Sequence, residues 1–318
     1  MYDVVTLGEL LIDFTQNGYS SQGNGMFEAN PGGAPGNVLA MLNRLGHKTA
    51  FIGKVGEDYF GHLLADTLKE VGIDTKGLVF DKDVRTTLAL VHTFPDGDRD
   101  FSFYRNPGAD MMLTPEEVPE EMFEGTRLFH FGTISMTDEP VRSATMRALE
   151  LAKKHGCLIS FDPNLRPPLW KSMDEARAQV LEGLGWCQIL KISDNEIQWL
   201  TGCEDFDEGV DWIRERFDIP LILVSMGKEG SRAYYGGAVA EAAPFITSDT
   251  VETTGAGDTF CGCVLSYILN HGLEGLTEAE LKEMLTFANG AASRITTRKG
   301  ALKVMPTREE VEILLGLA

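Results

Sequence analysis

The 318-residue chain contains no run of about 18 apolar residues, the length a membrane-spanning helix needs. Its first stretch, MYDVVTLGELLIDF, has neither the positive segment nor the small-residue cleavage site of a secretory signal. A soluble, cytoplasmic protein is expected. Cysteine is sparse: the five thiols at Cys157, Cys187, Cys203, Cys261 and Cys263 form no CxxC pair, so neither a disulfide framework nor a zinc site is indicated. Cys261 and Cys263 fall in an apolar helical pattern and read as core. Basic residues are also short, 28 Lys and Arg against 48 Asp and Glu, for a net charge of −20. That balance argues against nucleic acid or an anionic membrane as partner. It leaves room for a small phosphate ligand, because helix N-termini and bound metal supply positive potential locally.

Most nucleotide and hydrolase motifs are absent as well. The nearest approach to a phosphate-binding GxxxxGK[ST] loop, Gly46 to Gly53-Lys54, has the wrong spacing and Val55 where a hydroxyl is required. No GxGxxG comes after the first strand, which disfavours a nicotinamide-dependent enzyme. GxSxG, HExxH and EF-hand loops are missing too.

The chain does alternate β-rich runs with helical patterns. Strands are expected at 4–10, 49–55 and in RLFHFG, CLISFD, QILKIS and PLILVSMG. Helices are expected at 36–46, 58–72, 138–155, 172–184, 194–202, 207–217, 258–271, 278–294 and 307–316. Such alternation implies right-handed βαβ units and a mostly parallel sheet covered on both faces, an α/β fold. Two segments break the rhythm. Residues 14–31 are polar and rich in Gly and Asn, and 86–105 hold two β-type runs around Pro95-Asp96-Gly97-Asp98, a hairpin signal. Together they suggest a small antiparallel sheet inserted in a single domain spanning 1–318, serving as a substrate lid or a dimer contact.

The stretch ETTGAGDTFCG, residues 252–262, carries chemistry. Apolar residues at 260, 264, 265, 268 and 269 give residues 258–271 a helical period, with Gly272 as the stop. Gly255, Ala256 and Gly257 therefore open a helix whose first amides are free to meet an anion that small residues let approach. Asp258 is then either a helix cap or a group that serves a second ligand.

This stretch, together with PGGAPGNVLAMLNRLG (31–46) and FIGKVGEDYFG (51–61), resembles the two signatures of the ribokinase-like, phosphofructokinase-B type carbohydrate kinases. The similarity runs on through FDPNLRPPLW (161–170), LKISDNEIQWLTG (190–202), VSMGKEGS (224–231) and FANGAAS (287–293). It spans nearly the whole chain in the family's order. The resemblance implies a three-layer α/β/α fold with a small β-sheet lid, ATP as co-substrate and Mg²⁺ as metal. It implies that the amides of Gly255, Ala256 and Gly257 cradle the transferred phosphoryl group and that Asp258 is the base for the acceptor hydroxyl. The family's Asn-x-x-Glu metal motif reads Ser193-Asp194-Asn195-Glu196 here, so Glu196 keeps the carboxylate that organises Mg²⁺, partly through water, while Ser replaces Asn at 193. Ser225, Gly227 and Gly230 match the turn beside the nucleotide, and Asn289 matches an Asn near its base. A K⁺ site is implied around Glu252 and Thr254, although the family usually has Asp where this chain has Glu252.

Asp13, Gly32, Gly33 and Asn37 match the sugar-facing positions. FYRNPGADMML (103–113), FHFGTISM (129–136) and DPNLRPPLW look like the fructokinases of the family, which implies that Arg105 and Arg166 reach the sugar or balance phosphate charge. D-fructose is the expected acceptor. A 2-keto-3-deoxygluconate kinase is the alternative, ribokinase and nucleoside kinase lie further off, and a non-catalytic sugar-binding homologue is the reading from another class. A homodimer formed through the lid is expected.

Overall fold

The computed structural model describes residues 1–93 and 99–317. Its elements run β1 (Val4–Leu7), β2 (Leu11–Tyr19), β3 (Gly25–Gly32), α1 (Ala34–Arg44), β4 (Thr49–Gly56), α2 (Tyr59–Glu70), β5 (Asp74–Asp81), β6 (Leu88–Thr93) and β7 (Arg99–Tyr104). Next come β8 (Leu128–Gly132), α3 (Val141–Lys154), β9 (Leu158–Asp162), α4 (Met173–Leu184), β10 (Ile189–Ser193), α5 (Asp194–Thr201) and α6 (Phe206–Arg214). The chain closes with β11 (Leu221–Ser225), β12 (Ser231–Tyr235), β13 (Ala238–Ala242), α7 (Ala256–His271), α8 (Glu278–Ile295) and α9 (Arg308–Leu314).

Nine strands form the main sheet in the order β13-β12-β11-β10-β9-β8-β1-β4-β5. All neighbours from β11 to β5 are parallel, and β12 and β13 add an antiparallel edge. The mostly parallel sheet expected from the strand–helix alternation is therefore present. Its central strands read as largely apolar runs because both faces are covered. In β11, Leu221 and Leu223 join the core formed with α1, α2, α7 and α8. Ile222 and Val224, pointing the opposite way, join the core formed with α3, α4, α5 and α6. No helix among the described residues is long and apolar enough to cross a membrane.

Helix starts obey local chemistry. Asp58 caps α2 by accepting from Gly61 N at 2.9 Å, and its other oxygen accepts from Thr86 N, fixing the helix to the approach to β6. Thr277 and Thr307 open α8 and α9 as capping boxes.

A second sheet, β3-β2-β6-β7, is built from the two segments that broke the rhythm. It is mixed rather than antiparallel as expected, because β2 and β6 pair in parallel, Asp13 opposite Ala89. Each enters from the same edge of the main sheet, β2 directly after β1 and β6 soon after β5, so both run outward together. The turn expected at 95–98 lies outside the described residues. Strand β5 and the β12–β13 hairpin escaped the sequence reading. The first is masked by its polar DTKGLVFD sequence, and the second turns through Gly236, whose φ of 54° suits glycine.

Candidate active site

Helix α7 begins as its small residues require. Gly255 is the N-cap residue with φ 76°, and a Cβ there would lie 2.8 Å from Ala301 Cβ. The helix N-terminus opens on a cleft of about 700 Å³ lined by Gly255, Gly257 and Asp258. The first amides of a helix have no partner within it, so this turn presents the positive end of the helix dipole to the cleft, although Ala256 N already donates to the Thr253 carbonyl at 3.3 Å.

Asp258 does not cap the helix, which has no side-chain cap bond. Its carboxylate turns to the cleft, where Oδ2 accepts from Asn37 Nδ2 at 2.8 Å and Oδ1 from Asn164 Nδ2 at 3.4 Å. Burial raises its pKa, opposed by the Asn37 hydrogen bond and by the charges of Lys191 and Arg166. A buried carboxylate facing a polar cleft beside a row of amides suits proton abstraction from a hydroxyl.

Asp13, Gly33, Asn37 and Arg166 also line the cleft. Burial pushes the Asp13 carboxyl up to about 7, with Arg166 opposing and Glu252 and Asp258 adding to the rise. Gly32 sits against it, since a Cβ at 32 would lie 2.7 Å from Asp13 Oδ2. Gly33, φ 132°, leaves no room either: a Cβ would lie 2.4 Å from the Glu9 carbonyl oxygen. The close approach lets Glu9 Oε1 accept from Ala34 N at 2.8 Å, fixing the start of α1 and hence Asn37.

Glu252 and Thr254 line the same cleft, and Glu252 Oε1 accepts from Gly300 N at 2.8 Å. Ser193 and Glu196 form the capping box of α5, with Ser193 N and Oγ both donating to Glu196 Oε2 at 2.8 Å. Glu196 Oε1 accepts from Leu165 N at 2.7 Å, tying the loop that carries Arg166. Ser193 and Ser225 are register partners at the ends of β10 and β11. Gly227 and Gly230 form the turn after β11, with φ 54° and 96°. Strand ends on one edge of a parallel sheet are where ligands of such folds bind.

Two expected residues have their side chains engaged within the protein. Arg105 is buried and does not line the cleft. Its Nε donates to Asp110 Oδ2 at 2.7 Å, and its terminal nitrogens donate to Thr137 Oγ1 and the Ile134 carbonyl. Asp110 is itself buried, so its charge needs that guanidinium. Asn289 is likewise engaged, donating to the Ala242 and Ala243 carbonyls and accepting from Ser231 Oγ at 3.0 Å. It joins α8 to β12 and β13.

The cleft also contains residues that sequence reasoning passed over. Asn164 lies two positions after Asp162 in FDPNLR, with φ 44°, a left-handed conformation that Asn tolerates. Glu9 lines the cleft, and burial pushes its carboxyl up to about 7 against bonds from the Glu9 and Ala34 amides. Lys191 lies within the apolar strand ILKIS, paired at 3.0 Å with Asp162 Oδ2. A lysine in a strand buried on both faces was the available signal.

A pfkB family carbohydrate kinase model matches residues 1–308. Fructokinase-2 of Solanum lycopersicum is 43% identical over 315 residues, covering 98% of this chain and 95% of the relative. Among solved structures, fructokinase with bound ATP from Xylella fastidiosa has a TM-score of 0.90 at 29% identity, covering 99% of each chain. A fructokinase from Vibrio cholerae O395 in a fructose, ADP and calcium ion bound form has a TM-score of 0.88 at 31% identity, again covering 99% of each chain.

Proposed function

The chain belongs to the pfkB family of carbohydrate kinases, and on that premise we propose that it phosphorylates D-fructose with ATP, giving ADP and D-fructose 6-phosphate. The observation that carries the reading is the pairing of Asp258 with the open N-terminus of α7 in one cleft. The two features serve opposite reactants. The amides at 255–257 meet the transferring phosphoryl group, whose charge spreads over its equatorial oxygens. Asp258 accepts the proton of the attacking hydroxyl. Asn37 Oδ1 is buried with no hydrogen-bond partner among the described residues, an acceptor that a sugar hydroxyl would satisfy. Asp13 and Arg166 supply further polar contacts to the sugar or its phosphate, with Gly32 and Gly33 lying close against Asp13 and Glu9 to set the sugar-facing wall.

The nucleotide would lie along the ends of β10 and β11, beside Ser193, Ser225, Gly227 and Gly230. Asn289 would support that edge through its bonds to β12 and β13 rather than by touching the base. Mg²⁺ would be organised by Glu196 through water. Its Oε2 already accepts two protein hydrogen bonds and its Oε1 one, which leaves a lone pair on Oε1 for a metal-bound water. Among the described residues no group of three or more His, Cys, Asp or Glu side chains is placed to hold a metal directly. The metal supplies neutralisation of phosphate charge. Glu252 and Thr254 would hold K⁺ beside the phosphoryl turn.

The chain would act as one kinase domain over 1–318, with β3-β2-β6-β7 as lid. Exposed Tyr19, Met26, Phe27 and Tyr104 on that sheet suit a homodimer contact. Five unpaired thiols suit the cytoplasm. Initial rates with fructose, 2-keto-3-deoxygluconate, ribose and adenosine test the acceptor. Fructose should give the highest kcat/KM; a much faster rate with another acceptor overturns the assignment, and clean sugar binding without ADP release points to a non-catalytic homologue.

A further inference from the structure

Lys191 stands at the centre of β10 with its side chain 8% exposed. Its ammonium has two neighbours of different kinds. One is Asp162 Oδ2 at 3.0 Å, at the end of β9. The other is the opening turn of α7: a methyl group placed on Gly257 would lie 3.3 Å from Lys191 Nζ. Lys191 also lines the cleft with Gly255, Gly257 and Asp258. A lysine needed only to neutralise Asp162 would have no reason to open onto the cleft. Moreover, Asp162 has another partner, because its Oδ1 accepts from Asn164 N at 3.2 Å. The Ser193 hydroxyl is already donating to Glu196, and among the described residues Lys191 and Arg166 are the cations lining this cleft.

We propose that Lys191 is a catalytic cation of the transfer step, lying beneath Gly257 to meet the equatorial oxygens of the phosphoryl group and exchanging part of its bond to Asp162 for them. The inference rests on the kinase reading of the cleft. In the step, the bond between the acceptor oxygen and the γ-phosphorus forms as the bond from phosphorus to the β,γ-bridging oxygen breaks. The electron pair of the broken bond leaves on ADP, and the hydroxyl proton passes to Asp258. Lys191 transfers no proton. Burial alone would favour its neutral form, but the carboxylates of Asp162 and Glu196 more than offset that and keep it charged. A charge fixed before the reaction costs no reorganisation during it, which is why such groups act most strongly in a water-poor site.

The groups around Asp258 are Asn37 on α1, Asp162 at the end of β9, Asn164 and Arg166 after it, Lys191 on β10, Asp13 on β2 and Glu252 before α7. Removing Lys191 takes one positive charge from this set and should move the acid limb of the kcat/KM profile to higher pH.

The test compares Lys191→Met, Asp162→Asn and the double variant, each assayed with the acceptor the unaltered enzyme uses best. Lys191→Met should lower Tm, because it leaves Asp162 buried without its cation. The double variant, with both charges gone, should recover Tm while turnover stays down by about 10²-fold or more. Calorimetry supplies a readout apart from turnover: ADP should bind the double variant within about threefold of the unaltered enzyme, whereas ADP with aluminium fluoride and sugar should lose tight binding. Recovery of turnover in the double variant, or unchanged binding of the aluminium fluoride complex, overturns the role of Lys191 and leaves the acceptor assignment standing. Fructose losing the acceptor comparison overturns only the fructose assignment; no turnover of any acceptor by the unaltered protein overturns both.

Discussion

Asn37 on α1 donates to Asp258 on α7 at 2.8 Å, although 221 positions separate them in the chain. The bond holds the carboxylate toward the cleft and favours its ionised form. It makes the packing of α1 against α7 part of the chemistry, because a shift of either helix would misplace the base.

Asp258→Asn should cut turnover by about 10²–10⁴-fold, the usual loss for a general base. Sugar binding should change little, since the amide keeps the shape of the group it replaces. Steady-state rates beside calorimetric fructose binding check both parts, and near-normal turnover would remove Asp258 from the reaction.

Asn37→Ala should make the enzyme more sensitive to acid. Burial already raises the pKa of Asp258, and the Asn37 hydrogen bond opposes that rise. Loss of the donor lets it climb further, so a larger share of the base is protonated at a given acidic pH. The variant should lose more activity relative to the unaltered enzyme at pH 6 than at pH 8. An unchanged ratio across that range would show that the bond does not govern the base.

Glu9→Gln should change stability in a pH-dependent way. With its carboxyl pushed up to about 7, folded Glu9 holds a proton that the unfolded chain, with its ordinary carboxylate near 4.5, has lost. Its contribution to stability is therefore full below about 4.5 and declines as pH rises through about 7. The amide has no charge to bury, so Glu9→Gln should gain about 1–3 kcal/mol on the unaltered protein between pH 5 and pH 8. Urea denaturation at the two values measures this, and an equal difference at both contradicts it.

Gly33→Ala should destabilise the protein and weaken sugar binding together. The added methyl would meet the Glu9 carbonyl at 2.4 Å on a backbone with φ 132°. A cost of about 1–3 kcal/mol is expected from the strain alone, with the clash added to it. Gly46→Ala is the control: φ is 94° there but no atom lies within 4 Å of the added carbon, so the loss should be smaller and fructose KM unchanged.

Local chemistry made much of the architecture legible. Asp58 as a cap, Gly255 at the start of α7 and the apolar runs of β8 to β11 each act over a few neighbours, so composition and period reveal them. The parallel sheet emerged from their alternation. Polar β5 and the β12–β13 hairpin did not, because their pairing depends on strands already in place. The same limit applied at the site. Asp258 and the small residues before it form one contiguous stretch, and resemblance marked Asp13, Asn37 and Arg166.

The sequence by itself determined the α/β class, the helix that opens on an anion-accepting turn, and the family signatures around it. Only the tertiary structure decided which polar groups face the cleft. Arg105 stands in a signature stretch, yet buried Asp110 draws its guanidinium inward. Lys191 looks misplaced in an apolar strand until β9 and α7 set Asp162 and Gly257 beside it. A charged side chain takes its direction from the partners that offset its desolvation, and those partners come together only when distant segments pack.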